Sequence, residues 1–189
     1  MNTPSQPQHP PREAPPSALP DLDLFRETIR KNDLQVLLDL FARLRAHTPL
    51  PPPPPWPADY IQPPPPLAAI LSDLSAGAPT SGDADVPPAT YRALFSALHA
   101  RADVATMIAD AKRTLHPADY ASALAPPDPD RLMALLTDSA AEERVLRRVA
   151  DYARAHHPTL PPALADHLWR THIIPWTKQV ELHHLLHLT

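Results

Sequence analysis

The chain has 189 residues, of which 29 are proline, two glycine and none cysteine, and its formal charge is −4. Two glycines leave no material for Gly-rich phosphate loops or dinucleotide-binding turns, which need positive φ, and the lack of cysteine excludes disulfides and thiolate metal sites. The negative charge gives no overall attraction for nucleic acid or anionic lipid, and no apolar run approaches the ~20 residues of a membrane span.

Prolines cluster, with seven in residues 1–20 and eleven in residues 49–66. Residues 1–20 therefore read as a disordered, polyproline-leaning tail. Its start, MNTPSQPQHPPREAPP, has no apolar stretch of the secretory kind, and proline disfavours an amphipathic presequence, so a cytoplasmic or nuclear protein is expected. Residues 21–189 read as one helical domain with a Pro-rich insertion at 48–66 and a surface loop at 75–88. The Ala/Leu bias outside the proline clusters favours helix, and strands have little support.

In chain order, a first helix is expected from about Asp21 or Asp23, carrying Leu22, Phe25 and Ile29, with Lys31-Asn32 breaking it. Asn32 and Gln35 form a capping-box pattern for a second helix with Leu34, Leu37, Leu38, Phe41 and Leu44 on one stripe. After the polyproline runs around WPADYIQ and a short helix at 67–74, helical signal resumes at Thr90. YRALFSALHA and Ala102–Lys112 read as partner helices, with Val104, Met107 and Ile108 inward. Pro117 suits the first position of another helix, Asp128-Pro129 is a cap and first-turn pair, and Ser139 with Glu142 opens a helix through about His156. On that helix Val145, Leu146, Val149 and Tyr152 make the apolar stripe. Pro161-Pro162 starts one more helix, Pro175 is expected to end it, and WTKQVELHHLLHL closes the chain.

Recurring short helix pairs suggest stacked hairpins. Residues 25–41, FRETIRKNDLQVLLDLF, resemble the helix–turn–helix of an ankyrin repeat, and residues 94–111 and 120–140 resemble it more loosely. No T-P-L-H tetrapeptide opens a unit, and Asn32, Ala102 or Pro129 stands where the family has Gly. The alternatives are another α-solenoid, including a pentatricopeptide-like unit, or a plain helical bundle. The ankyrin resemblance implies a protein-binding scaffold without catalysis.

Seven of the eleven histidines lie in residues 156–189. His183 and His187, four apart, share a helical face as two metal ligands must, and His172, Asp166 or Glu181 would have to supply a third. A zinc-peptidase motif would need Glu at position 184, which is His, so no metal and no cofactor are expected. Asp119, Asp128, Asp130, Asp138, Glu142 and Glu143 read as helix-capping carboxylates rather than an acid/base pair. Ser96, Ser122 and Ser139 lack a nucleophile elbow. Arg144, Arg147, Arg148 and Arg154, interrupted by Asp151, read as a solvated basic face.

From the sequence, then, the expectation is an all-α, non-enzymatic protein-interaction module. Arg144, Arg147 and Arg148, with Trp56 and Tyr60 in the Pro-rich insertion, are its candidate partner-binding residues. The partner is another protein, with a reader of Pro-rich motifs as one form, and neither nucleic acid nor membrane is expected. The alternatives are a subunit or assembly factor of a larger complex whose Pro-rich segment wraps a neighbour, and, further off, a His-based metal-dependent enzyme.

Overall fold

In the computed structural model the described residues are 27–33, 35–36, 66, 69–70, 72–73, 89–156 and 161–188. The Pro-rich segments apart from Pro66, together with Leu38, Phe41, Trp56, Tyr60 and the 75–88 loop, lie outside them. Among the described residues the chain is helical and carries no strand, only an isolated bridge between Leu124 and Pro127. None of these helices is long and apolar enough to cross a membrane.

The dominant element is α1, Ala89–Leu115, 27 residues long. It holds no Gly or Pro, so nothing breaks the hydrogen-bond ladder at Arg101-Ala102, where the sequence pattern had suggested a turn between two helices. One unbroken helix here removes the second hairpin, and with it the repeat. The Lys31-Asn32 turn is also absent, because residues 27–33 are helical throughout.

Helices α2 (Pro117–Leu124) and α3 (Pro129–Leu136) follow, each with proline in its first turn, where a missing N–H costs nothing. Asp128 caps α3 by accepting from the Arg131 amide at 3.0 Å. Helix α4 spans Ser139–His156, and its cap is Asp138 rather than Ser139: the Asp138 carboxylate accepts from the Ala141 amide at 2.9 Å. That leaves the Glu142 side chain free of capping duty.

The last stretch is α5 (Pro162–Leu168), a π turn (Trp169–Ile173) and α6 (Ile174–Leu186), running on without a break. Pro175 does not end a helix, contrary to expectation. Proline removes one amide donor and crowds the preceding turn, and the wider π turn just before it, in which the Ile174 amide reaches back to the Trp169 carbonyl, absorbs both effects.

Packing is a bundle. Helix α1 lies chiefly along α6, α4 along α5, and α3 against α2 and α6. Arg101 meets Thr177 and Asp110 meets His184, so contacts ascend together along α1 and α6 and the two run in the same direction. The main core joins Leu94, Leu98 and Ala102 of α1 to Leu146 and Val149 of α4, Leu168 and Trp169, and Ile173, Trp176 and Val180, with Val36 and Ile70 from the N-terminal helical residues. Each such large side chain contributes about 1.5–3 kcal/mol by leaving water. A second cluster, Tyr120, Leu132, Leu136 and Leu185, joins α2, α3 and α6. Val104 is buried as expected, whereas Met107 faces out at 46% exposure.

Candidate active site

Between α1, α4, α6 and the N-terminal helical residues lies a cavity of about 540 Å³, within the range typical of small-molecule sites. Its charged lining is lopsided: Arg30, Arg101, Lys112, Arg144, Arg148 and Lys178 against Asp138, Glu142 and Glu181. Ile108, Val145 and Ile174 supply apolar wall.

The helical period explains this convergence. Arg101, Ile108 and Lys112 are spaced seven and four residues apart on α1 and so share a face. Arg144 and Arg148, and Thr177 and Glu181, are each four apart, one turn along their own helices, and the cap residue Asp138 stands four before Glu142.

Two guanidinium groups are held by a carboxylate behind them. Asp33, 2% exposed, accepts from the Arg101 Nη1 and from Arg148 Nη2 at 2.6 Å, and the indole Nε1 of the fully buried Trp169 donates to it at 3.0 Å. Arg101 Nε donates to the Thr177 hydroxyl at 2.8 Å, and that hydroxyl donates to the Ile173 carbonyl at 2.7 Å. Arg101 is thus fixed through Nε and Nη1, which preorganises its guanidinium at the cavity wall.

Lysines and carboxyl groups also meet directly. Lys112 Nζ donates to Glu181 Oε2 at 2.9 Å and to the Leu136 carbonyl at 2.6 Å, and Lys178 lies 3.0 Å from Glu142. Burial pushes the Glu181 carboxyl above its usual value near 4.5, although Lys112, Arg101 and Lys178 pull it down. A folded-state rise means that the neutral acid is the form the fold favours. That contribution to stability is present below the ordinary carboxylate pKa and is lost as pH climbs through the raised one.

Of the partner-binding candidates from sequence, Arg144 and Arg148 line the cavity, and Arg147 is exposed and does not. Trp56 and Tyr60 lie outside the described residues. His183 is half-buried on α6, and His187 caps its end with Nδ1 2.8 Å from the His183 carbonyl oxygen. The sequence pattern alone does not mark Arg30, Arg101, Lys112 or Thr177, offers Glu181 only as a metal ligand, and marks Asp138 and Glu142 as caps.

Residues 91–182, just under half of the chain, match the family model for chorismate mutase type II. By sequence, no curated protein matches the chain. Among solved structures, the chain is similar to the Candida albicans chorismate mutase in complex with L-Trp, at 18% identity and a TM-score of 0.64, covering 88% of this chain and 90% of that one. It is similar to the chloroplast chorismate mutase from Zea mays at 19% identity and a TM-score of 0.65, covering 90% and 96%. AtCM1 with tyrosine bound in its allosteric site gives 20% identity and a TM-score of 0.65, covering 90% and 97%.

These findings overturn the ankyrin resemblance and the reading that followed from it. The matches are to enzymes with a helical-bundle fold, not to repeat proteins, so the non-enzymatic protein-interaction module is set aside. Another protein as partner is set aside for the same reason.

Proposed function

We propose that the chain is a chorismate mutase, rearranging chorismate to prephenate in the 540 Å³ cavity. What carries the proposal is one coincidence. The stretch matching the family model, 91–182, contains every charged residue of the cavity except Arg30.

The chemistry suits the lining. In this rearrangement an ether C–O bond breaks as a C–C bond forms within one molecule, and no proton, electron or group enters or leaves. No base, nucleophile or cofactor is required. The site must hold a dicarboxylate folded upon itself and stabilise negative charge gathering on the ether oxygen. Arg101 and Arg148, held in place by Asp33, turn their remaining N–H donors to a substrate carboxylate, and Arg30 and Arg144 add positive charge at the wall. Lys112 and the neutral form of Glu181 are donors side by side in the buried part of the site, suited to the ether oxygen.

Incubation of the purified chain with chorismate, followed by chromatography, should yield a product of unchanged mass that co-elutes with prephenate. Conversion no faster than in buffer would reject the reading. A pH profile tests the donor role of Glu181. The wild-type rate should fall as pH rises through the raised Glu181 pKa, because ionisation replaces a donor with a negative charge facing a dianion. Glu181→Gln, neutral at every pH, should flatten that limb. A Gln variant that keeps the wild-type fall would show that another group titrates.

A further inference from the structure

We infer that Asp73, His167 and His172 form a binding site for one divalent transition-metal ion, separate from the cavity. The three side chains present one ligand atom each, all within 4.8 Å of one another. None of them lines the cavity.

The site is built by the fold rather than by a sequence motif. Asp73 stands 94 residues before His167 and 99 before His172, yet its Oδ2 lies 2.9 Å from one Nε2 and 2.7 Å from the other. The two histidines are five residues apart. In a regular α-helix that spacing turns them about 140° from each other. The π turn at Trp169–Ile173, which closes over five residues, brings both rings to one face, with centroids 6.2 Å apart at 86°. A π turn in the middle of a long helix is a local departure that places side chains, and here the side chains it places are two imidazoles facing a carboxylate.

The donor set indicates the kind of ion. Two imidazole nitrogens and one carboxylate oxygen suit zinc, cobalt or nickel, whereas magnesium and calcium prefer oxygen ligands. Metal–ligand bonds of about 2.0–2.2 Å at tetrahedral angles set ligand atoms about 3.3–3.6 Å apart, so the nitrogens and the oxygen would part by about half an ångström or slightly more. His172 is 11% exposed, Asp73 35% and His167 50%, so one ligand is anchored and two can adjust, with solvent free to complete the coordination. Thr171 Oγ1 lies 3.4 Å from His167 Nδ1, a contact that lets Nδ1 carry the proton and leaves the Nε2 lone pair for the metal. A bound ion would clasp residues 72–73 to the π turn that leads directly into Ile174 and Thr177 of the cavity wall.

The test is calorimetric titration of zinc into the untagged, chelator-treated full chain, with cobalt absorption as a second readout. The expected result is one zinc per chain, with affinity falling at least tenfold in Asp73→Asn and in His172→Gln. His183→Ala and His187→Ala should bind as the wild type does, and magnesium should not compete. Both site variants keep side-chain size, and far-ultraviolet circular dichroism checks their fold. No stoichiometric zinc uptake, uptake unchanged in both site variants, or uptake that follows His183 and His187 would overturn the proposal.

Discussion

Asp33→Asn is expected to lower the unfolding free energy by about 3–5 kcal/mol, the scale for breaking a buried ion pair by removing one partner. Asp33 is 2% exposed and Arg101 4%, so water does not screen the loss. The asparagine keeps one oxygen for Arg101 and the Trp169 indole, but its amide group turns a donor toward Arg148, which donates there in the native protein. Two guanidinium groups then share a pocket with no negative charge between them. Urea unfolding followed by circular dichroism measures the difference. A change below about 1 kcal/mol would mean that solvent or another carboxylate compensates the arginines, and that Asp33 does not organise them.

Lys112→Met is expected to lower kcat/KM for chorismate by about 10²–10³-fold, the usual range for removing one preorganised donor to a developing oxyanion. Methionine fills similar space, so the change isolates the charge. Lys112 also holds Glu181, and without it the carboxyl loses one of the influences that draw its pKa downward. The variant should therefore be better folded on the acid side, where Glu181 is neutral, than on the alkaline side. Steady-state kinetics at several pH values separate the two effects. A loss under threefold would remove Lys112 from the chemistry.

Much of the helix pattern is legible in the sequence because proline and aspartate mark helix starts by local physics. Pro117, Asp128-Pro129 and Pro161-Pro162 each begin a helix where their restricted φ or capping oxygen predicts. The Leu146 and Val149 stripe is buried for the same local reason, a 3.6-residue period facing the core. Two readings failed where a breaker was inferred without the residue type that breaks a helix. Arg101-Ala102 and Lys31-Asn32 contain neither Gly nor Pro, and both are helical. The reverse error occurred at Pro175, where a π turn permits what an α-helix would not.

The cavity was hidden by the first of these errors. Treating Arg101 as part of a turn cut it off from Ile108 and Lys112, and the shared face of a single helix was lost. On an unbroken 89–115 helix, a cation repeated at an eleven-residue interval on a mostly apolar face is a signal that sequence alone can supply. Asp33 could not be found that way, since its partners are 68, 115 and 136 residues distant and only the tertiary fold joins them.

The central claim, that this cavity turns over chorismate, is tested most directly by comparing Arg101→Ala with Arg147→Ala in one prephenate-formation assay. Arg101 lines the cavity and is buried, whereas Arg147 lies on the exposed side of α4. Wild-type protein should form prephenate, Arg147→Ala should stay within threefold of it, and Arg101→Ala should lose about 10³-fold in kcat/KM. Full activity in a folded Arg101→Ala variant, or equal losses in the two, would contradict the account.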